Sequence, residues 1–144
     1  MEKLVDEKFT AVNLGKFEDL KEYVLPLASG DLKGKIFLRK ILGMTGANLS
    51  FQSFPVGGES GFYHTHKTHE EVYIFVKGEG EYQVNGKIFA VREGTVVKVL
   101  PDAKRTVRNT GNEPLVMICI QYKEGTYGVE DDLDGTILNE PVKW

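Results

Sequence analysis

Bulky and polar residues alternate through the middle of the chain. The segments "KIFLRKIL" (35–42) and "NLSFQSF" (48–54) alternate bulky residues, "EEVYIFVKG" (70–78) is rich in β-branched and aromatic residues and ends in Gly, and "GEYQVNGKIFAV" (80–91) holds two strand-like runs. "GTVVKVLP", "KRTVRNTG" and "PLVMICIQYK" continue the series to Tyr122. A period of two is that of a strand with one face buried. The breaks fall at Gly, Pro and Asn, and Asn85-Gly86 sits between two alternating runs as a tight hairpin turn. About seven or eight short strands at near-regular spacing predict an all-β sandwich or barrel. One segment keeps a different period. In "FEDLKEYVL", Phe17, Leu20, Tyr23 and Val24 recur at helical spacing before Pro26, which predicts a short N-terminal helix over 17–25. With no repeat, low-complexity stretch or linker, residues 1–144 form one domain with a barrel core at about 36–122. The acidic, irregular tail, 123–144, is suited to cover a sheet edge or to pack on a second subunit.

Composition narrows the partners. The formal net charge is -3, without the basic excess of a phosphate-binding surface, so nucleic acid is not expected. No apolar run approaches the ~20 residues needed to cross a bilayer, and no membrane association is expected. The charged opening "MEKLVDEKFTAV" is not a signal peptide, which makes the cytoplasm the default location. The single cysteine, Cys119, excludes an intrachain disulfide and reads as a small buried apolar residue.

The three histidines all fall in "GFYHTHKTHEEVY" (61–73), as His64, His66 and His69, with Glu70 and Glu71 directly behind. Two residues apart on a strand, His64 and His66 face the same way. Two imidazoles and one carboxylate are a common donor set for a divalent transition metal such as iron, manganese, nickel or zinc, and they leave coordination positions open. Glu71 can supply the carboxylate if the chain turns at Lys67–His69. A His-x-His pair by itself is also what a polar surface loop contains. "EDDLDG" at 130–135 is not a calcium loop, because it begins on Glu130 and lacks the closing glutamate. No nucleophile elbow, phosphate-binding glycine loop or paired-cysteine motif is present.

The wider stretch resembles the first motif of the cupin superfamily, as found in small single-domain bacterial and archaeal members. Gly58, five residues, His64, Thr65, His66, four residues, Glu71, six residues and Gly78 reproduce its spacing. In the second motif Gly94 and Asn109 stand at the right separation. Leu100 replaces the proline, Asp102 the glycine, and Arg105 the histidine that is the fourth metal ligand. The resemblance implies a double-stranded β-helix, or jelly-roll, barrel. It also implies a metal held by His64, His66 and Glu71.

Arg105 cannot ligate a metal, since a guanidinium has donors only and stays protonated. Three arrangements are open. Arg105 binds an anionic substrate beside a three-ligand metal; or it pairs with Glu71 in a metal-free pocket; or His69 or Glu70 serves as an additional ligand. Alternation from Glu71 sends Tyr73 and Phe75 inward and Val72, Ile74 and Val76 outward, with Tyr82 and Val84 inward from the next strand. Tyr73 and Tyr82 would join Arg105 as substrate-binding residues, although ordinary core aromatics fit the same pattern. The expected function is a small-molecule-binding cupin taking an anionic metabolite beside a divalent metal. It would be a metal-dependent enzyme of dioxygenase, isomerase or lyase type, or a non-catalytic sensor with a degenerate site. The family resemblance further implies a homodimer.

Overall fold

The computed structural model of the protein describes residues 1–144. A hairpin of β1 (Glu2–Val5) and β2 (Thr10–Asn13) opens the chain, followed by a 3-10 helix, Phe17–Glu22. Two short strands, β3 (Val24–Leu25) and β4 (Leu32–Lys33), pair with each other. The barrel then runs through β5 (Lys35–Phe37), a single helical turn α1 (Arg39–Leu42), β6 (Asn48–Phe54) and β7 (His69–Lys77). β8 (Glu79–Val84), β9 (Lys87–Arg92), β10 (Val96–Val99), β11 (Arg105–Asn109) and β12 (Leu115–Lys123) complete it. A second 3-10 segment, Val129–Leu133, lies in the tail.

The barrel strands form two antiparallel sheets. One has the order β10-β7-β12-β6-β5 and the other β11-β8-β9. Their inner faces enclose one core that includes Phe54, Tyr73, Phe75, Tyr82, Val107 and Met117. The alternation forecast from sequence holds on β7: Glu71, Tyr73 and Phe75 are buried, while Val72, Ile74 and Val76 are half-buried on the other face. Enclosing apolar side chains between two sheets supplies most of the driving force, at roughly 25 cal/mol per Å² removed from water. No helix is long and apolar enough to cross a membrane.

Four residues shape the corners and ends of the barrel. Asn85 and Gly86 carry φ of 48° and 85°, the left-handed pair that a two-residue hairpin between β8 and β9 requires. Gly78, at the corner from β7 to β8, has φ of 80°, and a Cβ there would lie 2.5 Å from the Pro114 carbonyl oxygen. Asn109 ties the ends of the barrel together. Its side-chain amide donates to the carbonyls of Phe54 (3.1 Å), Pro55 (3.0 Å) and Glu113 (2.8 Å).

Two sequence readings are corrected. The expected helix over 17–25 is a 3-10 helix that stops at Glu22; Tyr23 is extended, and Val24–Leu25 enter a strand. Only Leu20 of that segment is buried, and Phe17 is 38% exposed, so one short apolar stripe does not offset the cost of nucleating an α-helix. "KIFLRKIL" is not one strand. It leaves the sheet at Phe37, buries Leu38, and closes a helical turn on Gly43 at φ 71°. At the other end the apolar residues of the tail stay in solvent: Leu133, Ile137, Leu138, Val142 and Trp144 are all exposed.

Candidate metal centre

The segment carrying the histidines does not continue β7. His64 forms an antiparallel bridge with Arg105, each backbone N–H donating to the other's carbonyl at 3.3 Å. The His66 N–H then donates to the Pro101 carbonyl at 2.7 Å. The chain bends at Lys67 and Thr68 and enters β7 at His69. Laying the His-x-His segment along β11 turns both imidazoles toward Glu71, which points inward from β7. The Nε2 atoms of His64 and His66 each lie 3.1 Å from Glu71 Oε1, with the two rings 5.3 Å apart and perpendicular. The three donor atoms lie within 4.8 Å of one another. The His64 and His66 side chains are 38% and 24% exposed, so the triad sits at the mouth of the barrel.

Glu71 is the hub of the site. Its Oε1 also accepts from the Tyr73 hydroxyl (2.7 Å) and from an Arg105 terminal nitrogen (2.8 Å), while Oε2 faces the Cys119 thiol at 3.0 Å. Burial by itself would raise the carboxyl pKa. The hydrogen bonds from His64, Cys119 and Tyr73, together with His66, outweigh it and hold Glu71 well below the usual carboxylate range. Burial pushes the Cys119 thiol and the Tyr73 phenol up, and the carboxylate beside them adds to it, so both stay protonated donors. Burial also lowers the His66 pKa and keeps that imidazole neutral.

Arg105 points into the barrel and is 1% exposed. One terminal nitrogen donates to the carbonyls of Pro101 (3.0 Å) and Ala103 (2.8 Å), the other to Glu71. Its Nε has no partner. Tyr82 is buried against Tyr73, with ring centroids 5.1 Å apart, and its hydroxyl also has no partner. His69 and Glu70 stay outside the triad: the His69 ring contacts the Thr68 hydroxyl at 3.0 Å, and Glu70 turns out to Lys98 at 3.4 Å.

Three residues of the site were not assigned to it from the sequence: Gln121 and Lys35 were not singled out, and Cys119 was read only as a small buried apolar residue. Cys119 lies opposite Tyr73 and Gln121 opposite Glu71 in the β12–β7 register, and the Gln121 amide nitrogen is 3.0 Å from His66 Nε2. Lys35, at the start of β5, lines a cavity of about 60 Å³ beneath the triad with Gln52, Tyr82 and Arg105. Alternation places Cys119 and Gln121 on one face of their strand. Only the cross-strand register brings that face to Glu71.

The donor set suits a divalent transition metal: two imidazole nitrogens and one ionised carboxylate oxygen lie within 4.8 Å of one another. His64 and His66 fit as neutral ligands provided their Nε2 atoms are free of protons, which a shift of the ring proton to Nδ1 achieves. Arg105, at the motif position of the usual fourth ligand, donates to the same carboxylate oxygen.

The sequence model of the Cupin domain family matches residues 50–121. An uncharacterised protein of Methanocaldococcus jannaschii is 32% identical over 68 residues, which is 47% of this chain and 54% of that protein. The chain thus spans about half the length of the curated relative it matches. Among solved structures, a cupin protein of Bacteroides fragilis is 30% identical with a TM-score of 0.69, covering 72% of this chain and 88% of that one. A Thermotoga maritima protein described as a predicted oxalate decarboxylase is 27% identical with a TM-score of 0.50, over 52% of this chain and 64% of its own. A double-stranded β-helix protein of Klebsiella pneumoniae, 18% identical, shares the fold over 81% of this chain and 95% of its own, with a TM-score of 0.59.

Proposed function

The chain belongs to the cupin family, and from that premise we propose that it binds a divalent transition metal through His64, His66 and Glu71 and holds a small anionic metabolite beside it. The observation that carries this reading is the convergence of the three donor atoms within 4.8 Å at the barrel mouth. A bound metal would supply a Lewis acid or, as iron, a centre for dioxygen chemistry, which are the contributions made in dioxygenases, isomerases and lyases.

The chain's own residues prepare the site for that role. Tyr73 and Cys119 donate to Glu71 and hold its carboxylate ionised and oriented. Gln121 lies beside the His66 ring, its side-chain amide nitrogen 3.0 Å from Nε2. Arg105 contributes a positive charge that cannot be titrated away. Together with a divalent ion it leaves the pocket strongly cationic against the one carboxylate of Glu71, and an anionic ligand balances that charge. The name of the Thermotoga relative, which points to a dicarboxylate substrate, agrees with this ligand class.

A second reading is favoured by the Arg105–Glu71 ion pair at 2.8 Å, which already neutralises the carboxylate without a metal. Elemental analysis of untagged protein separates the two. The metal reading expects about one equivalent per chain in the parent and none in a His64→Ala/His66→Ala variant. Absence of metal from the parent after supplementation, with uptake restored by Arg105→His, would establish the metal-free pocket instead.

A further inference from the structure

The cavity beneath the triad contains an unusual set of groups. Buried polar atoms are almost always paired. Here Arg105 Nε and the Tyr82 hydroxyl are buried without a partner, and both residues line the same cavity. Lys35, which lines the cavity beside Gln52, takes part in no ion pair. Its ammonium lies 5.0 Å from the centre of the Phe37 ring, and the residue is half-buried, which lowers its pKa.

The chemistry of these groups is one-sided. The guanidinium Nε–H and the ammonium only donate, and the phenol can donate. Two positive side chains face one carboxylate, Glu71, whose Oε1 is already occupied by Tyr73, Arg105 and the two histidines. The terminal nitrogens of Arg105 have their own acceptors at Pro101, Ala103 and Glu71, which leaves its Nε–H for a ligand. What such a wall lacks is a small group made of acceptors and carrying negative charge. A volume of about 60 Å³ admits a headgroup of a few heavy atoms. The opening carries Ser60, Phe62 and His64, where the body of a larger acid would lie.

We propose that the inner cavity is a carboxylate pocket, in which Arg105 Nε, the Tyr82 hydroxyl and the Lys35 ammonium take the two oxygens of a small organic acid. This rests on the anionic-ligand reading above and specifies its head group and the residues that read it. The metal is not needed for the pocket's donors to be in place, so the two can fail separately.

The test compares acetate with acetamide, which has nearly the same shape and no charge. Each is titrated at constant ionic strength into untagged, ¹⁵N-labelled protein, and amide shifts are followed. Metal content is measured on the same samples. The pocket predicts saturable shifts around Lys35, Tyr82 and Arg105 with acetate and none with acetamide over the same range. Lys35→Met, which keeps the apolar stem, should weaken acetate by about tenfold, the size of one charge-assisted hydrogen bond. It should also raise the melting temperature in acetate-free buffer, because an unpaired, half-buried ammonium has been removed. Tyr82→Phe should weaken acetate less, by a few-fold. Acetate that never saturates, equal shifts with acetamide, or unchanged acetate affinity in Lys35→Met would overturn the pocket. Acetate shifts that persist in metal-free protein would uphold it even if the metal reading fell.

Discussion

Glu71 decides the character of the site. It faces Arg105, which is buried and has no other carboxylate within reach, so Glu71→Gln leaves a guanidinium charge uncompensated in the barrel. Breaking one side of a buried pair costs about 3–5 kcal/mol, and urea denaturation of Glu71→Gln should show a loss of that order. The sign of the pH response follows from the same residue. The folded carboxyl pKa is depressed below its ordinary 4.5, so the unfolded chain binds the proton more readily. The stabilisation is therefore complete above about pH 4.5 and is lost as the pH falls toward the folded value. Depression of the His66 pKa acts in the same direction, starting from about 6.5. Glu71→Gln should flatten the acid limb of the stability curve; a limb as steep as that of the parent would mean other carboxylates control it. His64, His66 and Glu71 were legible in the sequence because their chemistry is rare and their spacing tight. Cys119, Gln121 and Lys35 were not, since their role arises from strands distant in sequence meeting in one register.

Among the elements, strand alternation carried most of the information. β6 through β12 lie where the period of two places them, and Arg105, Val107 and Asn109 turn inward together while Arg108 stays outside. The readings failed where a short segment had to do something other than pack one face. Phe17–Glu22 winds as a 3-10 helix, and Arg39–Leu42 turns a corner under Leu38. Two glycines with similar backbone angles should respond differently to substitution. Gly86 has φ of 85° and open space around it, so Gly86→Ala should cost about 1 kcal/mol, the strain of a left-handed alanine. Gly78 has φ of 80° and faces the Pro114 carbonyl oxygen at 2.5 Å, so Gly78→Ala adds overpacking and should cost about 3 kcal/mol. Equal losses in paired chemical denaturations would show that the β7–β8 corner can relax.

For the molecule as a whole, the barrel is closed and the two ends of the chain are not. Leu4, Val5 and Phe9 of the N-terminal hairpin are exposed, as are the apolar residues of the tail. An apolar groove lies between the first of these and the barrel, lined by Val12, Leu14, Phe17, Leu20, Leu38 and Phe51. The proposed homodimer gives these surfaces a use, with the tail packing on a second subunit. Removing residues 128–144 should then convert a two-chain sedimentation mass to one. The barrel's own stability should change by less than about 0.5 kcal/mol, because the tail makes no buried contact within its chain. A one-chain mass for the full-length protein would end the dimer proposal.

The position of Trp144 has a practical result. The only tryptophan in the chain is its last residue, fully exposed and far from the barrel core. Indole fluorescence will therefore have the red-shifted emission of a water-bathed ring and will scarcely change as the barrel melts. Tyr73 and Tyr82, in tilted contact within the core, are the native optical probes of folding. The insensitivity of Trp144 to unfolding makes it a clean reporter of one event alone, the capture of the tail by another surface, read as a blue shift that grows with protein concentration.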